Sequence, residues 1–319
     1  MWCHTWDPWH PSNPHVFLFV VCVVIPHFVC LQVTPHADGV DFTLVKEKAE
    51  KWMDMICKAI DTAYLDSGSA QKLSGRLSWA TQKLFHRLGR AMIKAIFAQK
   101  ASANGCVGAR LMMALKWWRR VLSKDICERK RWDRYASPPC RLFVDAASTP
   151  ARVAAVLFKG ADIWYTDGAP CEQLVSQLLD RNDKQITSLV RFLLCPGTFA
   201  CSLLALVQEI IAIMVALSTF SHVLQGEKVV LYSDNKGAEA ITSKGSARAF
   251  DHNALVHEIW SHAFLNSIHL WIERVPSKFN ISDSPSRFRY KILENLRARW
   301  CKPVMAALHL GEVASAASC

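Results

Sequence analysis

Four carboxylates stand where apolar runs end or where an apolar helix is interrupted. Asp145 closes Arg141-Leu142-Phe143-Val144, and Asp234 closes Val229-Val230-Leu231-Tyr232-Ser233. Glu209 is the single acid in the apolar run Gln208 to Leu217, and Asp283 lies in the polar run Ser277 to Arg287. A carboxylate in so apolar a helix is expensive to bury unless something neutralises it. A metal ion would do so; an exposed helix edge, which Gln208 beside it permits, is the other reading. Acids gathered from strand ends, a helix and a loop are the ligand set of a hard, oxygen-seeking divalent cation.

The elements that must position them follow from pattern. Arg141–Asp145, Arg152–Phe158 and Ile163–Thr166 read as three sequential antiparallel strands, the last two joined by a tight turn at Lys159-Gly160-Ala161-Asp162. Lys228–Tyr232 reads as a central strand, Lys236–Ile241 as a short helix ended by Gly245, Asp251–Phe264 as a longer helix, and Ile268–Val275 as the last strand. Phe288–Ala298 reads as a closing helix. His252, His257 and His262 lie in the longer helix, but the i, i+5 interval from His257 to His262 is wrong for zinc on one face. They read as packing or surface residues.

Upstream, residues 37–136 read as helical. Val45, Ala49, Trp52, Met53, Ile56, Ile60 and Ala63 repeat at 3.6 residues. A second helix carries Leu73, Leu77, Ala80, Leu84 and Leu88, and a third runs from Ala109 to Lys124. Ser67-Gly68-Ser69 reads as a loop, and Ser137-Pro138-Pro139 as a hinge to the next domain. From Ala37 to Ala136 there are 20 Lys and Arg against 10 Asp and Glu, a net of +10 that accounts for nearly all of the chain's +11. Such a segment suits a polyanion, or is simply a solvated helical face. Within it, Trp117-Trp118-Arg119-Arg120 could stack on bases and hold phosphates, or the two Trp could be core packing.

The 319 residues are half hydrophobic and a fifth charged, which excludes a disordered chain. The twelve cysteines include no CxxC and no zinc-finger spacing. They read as free structural residues of a reducing, intracellular compartment, cytoplasmic or nuclear. Residues 1–36 carry a Trp-, His- and Pro-rich start, then the apolar run Val16–Ile25, interrupted at Pro26-His27. That run is borderline for a membrane helix and lacks the flanks of a signal peptide; it is assigned no function.

The ordered set of acids, on strand–strand–strand–helix–strand–helix–helix–strand–helix, resembles ribonuclease H. Val275-Pro276-Ser277-Lys278-Phe279-Asn280-Ile281-Ser282-Asp283-Ser284-Pro285-Ser286-Arg287 is similar to the ending of RNase H domains in retrotransposon polyproteins. Leu73–Ala80, Ala114–Trp118 and Ile272–Ser277 are similar to the thumb/connection and RNase H regions of DIRS-like and gypsy-like elements. The resemblance covers roughly residues 40–298. It implies an α/β fold with an RNase H-like five-stranded mixed sheet and flanking helices (137–298), preceded by a small all-α domain (37–136) and followed by a tail (299–319). It also implies hydrolysis of RNA in RNA·DNA hybrids by two Mg²⁺ or Mn²⁺ ions. Asp145 would bridge both ions, Glu209 and Asp234 would hold one, and Asp283 the other. Ser148, Asn235 and Gly237 would contact 2′-hydroxyls, and Lys278 and Arg287 the nucleic acid.

Three departures qualify the resemblance. No YxDD-type motif and no Asp-Asp pair occurs, so no DNA synthesis is expected, and a polymerase would have to be supplied elsewhere. No His lies between Val275 and Asp283 to assist product release. The apolar stretch Leu189–Leu206, where the family goes directly to the helix Glu, reads as an insertion that either extends the catalytic helix or displaces Glu209. The alternative is a nucleic-acid-binding remnant that keeps the fold without catalysis. A membrane-attached protein is a third reading, and it explains none of the acid spacing.

Overall fold

The computed structural model describes residues 31–84, 86–124, 127–132, 138–148, 150–170 and 201–304. The expectations for the segment before Leu31, residues 189–200 of the expected insertion and the tail beyond 304 lie outside these residues.

The second half is built on a six-stranded mixed sheet. Strands β4 (Cys140–Ser148), β5 (Ala151–Lys159) and β6 (Asp162–Gly168) form the expected antiparallel meander. Strand β7 (Lys228–Ser233) pairs parallel to β4, and β8 (His269–Arg274) parallel to β7. The sixth strand, β9 (Arg299–Trp300), pairs parallel to β6 and corrects the five-strand expectation. Two residues carry no alternation, so the sequence pattern there suggests only the start of a tail. Side chains hold the strand instead: buried Asp167 on β6 accepts from Trp300 Nε1 at 3.2 Å, from Tyr290 Oη at 2.9 Å and from Arg152.

One helix fills the centre. Helix α5 spans Cys201–Thr219, and every residue from Val207 to Phe220 is buried. A helix apolar on all sides has to be enclosed, and this one is, by β4, β5 and the helix over Phe250–Leu265. Residues 201–206 belong to α5, so this part of the expected insertion extends the helix and does not displace Glu209. Among the described residues no helix is long and apolar enough to cross a membrane.

The first half corrects the all-α expectation. Its described residues include the helices α1 (Lys46–Asp61), α2 (Ser67–Lys83), α3 (Arg90–Gln99) and α4 (Ala109–Leu122). Their common core holds Trp52, Ile56, Leu73, Leu77, Ile93, Leu115 and Trp118. Beside them lies a three-stranded antiparallel sheet of β1 (Leu31–His36), β2 (Gly39–Leu44) and β3 (Cys127–Arg131). The polar run of β3 is a strand because Arg129 sits opposite Asp41 on β2 and forks onto it, at 2.7 and 2.8 Å. Ser67-Gly68-Ser69, expected as a loop, is the first turn of α2: Asp66 caps it, accepting from the Ser69 N–H at 2.9 Å.

The period that runs through Leu88 is broken between α2 and α3. His86, Arg87 and Gly89 all take positive φ there. A Cβ on Gly89 would lie 2.5 Å from the Trp118 ring, so the turn fits only glycine.

Candidate metal centre

Parallel pairing of β4 and β7 sets Phe143 level with Tyr232, and the two rings stack at 4.8 Å. Two residues further along each chain come Asp145 and Asp234, which therefore emerge side by side at adjacent strand ends. Helix α5 brings Glu209 over the same point. The Ser148 hydroxyl donates to Gln208 Oε1 at 2.9 Å, tying the helix to the end of β4. Asp145, Glu209 and Asp234 each offer a carboxylate oxygen within 4.8 Å of the other two, the first two buried and Asp234 half-buried. This buried acidic triad can hold a metal ion.

The electrostatics fit such an ion. Glu209 is pushed up to about 9, first by burial, then by the charges of Asp145 and Asp234; the Ala146 N–H and the Ser233 hydroxyl pull it back. Asp145 is pushed up to about 6, mainly by burial, opposed by the Ser286 hydroxyl and reinforced by Asp234 and Asp283. Among the described residues, Glu209 Oε2 is buried with no hydrogen-bond partner. An orphaned carboxylate oxygen among like charges is what a cation would satisfy.

The loop after β8 supports Asp145. Asn280 donates through Nδ2 to the Val144 carbonyl at 2.9 Å and, more weakly, to Asp145 Oδ1 at 3.5 Å. The Ser282 hydroxyl donates to Asn280 Oδ1 at 2.6 Å and fixes that amide. The Ser286 hydroxyl donates to Asp145 Oδ2 at 2.5 Å. These three residues have no role in the sequence reading, although all lie in the run Val275–Arg287 that carries the resemblance. A small polar residue beside a candidate ligand is the available signal.

The remaining expected residues divide. Asp283 opens the short helix α8 (Asp283–Ser286) and is close enough to Asp145 to raise it, but it is not within the 4.8 Å group. Its Oδ1 accepts from Arg287 Nε at 2.6 Å, so Arg287 is spent on Asp283. Asn235 caps α6 (Lys236–Lys244), accepting from the Gly237 and Ala238 N–H groups, which turns its carbonyl away from ligand duty. Gly237 packs on Leu206: a Cβ would meet its Cδ1 at 2.9 Å. Lys278 is exposed with its ammonium 4.8 Å from the exposed Phe279 ring.

Of the two readings of the Trp pair, core packing is the one observed and base stacking is corrected. Trp117 and Trp118 are 2% and 0% exposed, packed edge-on to each other at 4.9 Å, and cannot stack on bases. Trp117 also meets His257, on α7 (Phe250–Leu265), at 4.9 Å and so joins the two halves. The reason is helical phase: 117 and 118 fall on the inward stripe of α4 with Ala114 and Val121, while Arg119 and Arg120 point outward and are exposed. No protein-family model and no curated protein matches the chain.

Proposed function

We propose that this chain is an RNase H-like nuclease of retroelement origin, hydrolysing RNA in RNA·DNA hybrids with Mg²⁺ or Mn²⁺ and without polymerase activity. The observation that carries the reading is the triad: two buried acids and a half-buried one, drawn from two parallel strands and one core helix. The sheet order supports it, with an antiparallel meander first and two parallel strands added on the meander's first strand.

In this reading Asp145, Glu209 and Asp234 would hold the first ion, and Asp283 would hold the second once Arg287 yields to it. Divalent cations held there would supply activation of water and stabilisation of the leaving oxygen in a phosphoryl displacement. Ser286 and Asn280 keep the Asp145 carboxylate oriented, and burial keeps water from screening the site. Exposed Lys278, Arg119 and Arg120 supply positive charge for the hybrid's phosphates. Occupation of Asp283 by Arg287 favours a second reading, a binding remnant without turnover.

Cleavage of a labelled RNA·DNA hybrid with Mg²⁺ tests both. Wild type is expected to cut and Asp234→Asn to bind without cutting. Equal cleavage by the two would refute the metal-site assignment. Binding with no cleavage by wild type would select the remnant.

A further inference from the structure

The helical half and the sheet half meet along α3 and α7, and the seam is clasped but not closed. Arg90 Nη1 donates to the Lys244 carbonyl at 2.9 Å, Lys94 Nζ to the Ala247 carbonyl at 2.5 Å, and Asn253 Nδ2 to the Ala91 carbonyl at 3.0 Å. Between these clasps and the first turn of α4 lies a cleft of about 680 Å³. Clefts of ~300–1,000 Å³ take a small organic molecule. The walls are mostly small or apolar, among them Ala95, Ala98, Met113 and Ala254.

Charge enters in one sign. Lys94, Arg110 and Arg248 line the cleft, and among the described residues no carboxylate does. The Lys94 ammonium is depressed by burial and by the neighbouring charges of Lys244 and Arg248. Helix α4 opens into the cleft at Gly108, with no side-chain cap and no acid in its first turn. Its leading N–H groups therefore add positive potential. The second observation is independent of charge. His257 lines the same cleft and is 3% exposed, and its Nδ1 is buried with no hydrogen-bond partner among the described residues. Buried ring nitrogens are normally satisfied, and this one is left for a further group to satisfy.

We infer that the seam cleft binds a small molecule with an anionic head on an apolar body. The head sits toward Arg248, Lys94 and the start of α4, the body lies against Ala95, Ala98 and Met113, and His257 Nδ1 hydrogen-bonds to the ligand. An aliphatic carboxylate and a nucleoside monophosphate share this chemistry. Because the walls come from both halves, a bound ligand holds them together. The cleft shares no residue with the acid triad.

The test uses the full chain, metal-free, titrated with the fluorescent probe anilinonaphthalene sulfonate, which has the required head and body. Saturable one-site binding is expected. It should weaken about tenfold in Arg248→Glu, an exposed position where folding is not at stake. It should also weaken in His257→Phe, which keeps a ring but no nitrogen. Displacement of the probe by decanoate assigns the aliphatic carboxylate, and displacement by adenosine monophosphate assigns the nucleotide. No saturable binding, affinity unchanged in Arg248→Glu, or displacement by neither compound overturns the inference.

Discussion

Replacing Glu209 by Gln should stabilise the metal-free protein at neutral and alkaline pH. Folded, the Glu209 carboxyl is pushed up to about 9, first by burial and then by Asp145 and Asp234; its ordinary value is 4.5. Between those two values the folded chain keeps a proton that the unfolded chain has released. Stability therefore falls as pH rises through that window. At pH 7 the interval above 4.5, at about 1.4 kcal/mol per pH unit, amounts to roughly 3 kcal/mol. Gln has no proton to lose, is the same size, and can accept from the Ala146 N–H and the Ser233 hydroxyl while donating toward Asp145. Its advantage should be absent near pH 4.5, be roughly 3 kcal/mol at pH 7, and stop growing near pH 9.

Urea unfolding in EDTA at about pH 5, 7 and 8.5 measures this directly. Adding Mn²⁺ should then reverse the order. A cation that binds only the folded chain contributes about 4.1 kcal/mol at a thousandfold excess over its Kd, and the Glu209→Gln variant would forfeit most of that. A variant less stable than wild type by the same amount at every pH would refute the claim that burial holds Glu209 protonated.

Ser286→Ala removes a donor that favours charged Asp145, so Asp145 should titrate above about 6. Mn²⁺ affinity should fall severalfold, more at pH 6 than at pH 8, as read by titration calorimetry. Gly89→Ala forces a Cβ against Trp118 at positive φ and should cost about 3 kcal/mol in urea unfolding, with the metal site unaffected. Asp167→Ala strips Arg152, Tyr290 and Trp300 of their shared acceptor. It should cost about 3 kcal/mol and speed amide exchange selectively over residues 288–300.

Much of the sheet half is legible because its signals are local. Alternation and a Gly160 turn give the meander, and apolar runs that stop at Asp145 and Asp234 give two candidate ligands before any register is known. Glu209 is legible as a cost, a lone acid in an apolar helix. What is not legible depends on partners far away in the chain. Strand β3, Cys-Glu-Arg-Lys-Arg, has no strand pattern; Asp41, 88 residues before Arg129, makes it one. The inward phase of Trp117 and Trp118 can be counted from Ala114 and Val121, but the adjacent Arg pair points the eye to the surface. Arg287 at i+4 from Asp283 is a readable ion pair, and its meaning for the proposed second ion is hidden when the two residues are given separate roles.

The position of the site follows from the helix that carries it. Helix α5 is enclosed on every side from Val207 to Phe220, so Glu209 cannot swing out to water without unpacking the core. Its charge must be met where it stands, by a proton or by a cation. The same burial that lets the helix form thus makes the two competitors for one site. Lowering the pH should expel the cation by protonating Glu209 and Asp145, while binding of the cation at pH 7 should release a proton. A measured proton release near zero at pH 7, with the cation bound, would mean that Glu209 is already ionised in the folded chain and that the helix places its acid in water after all.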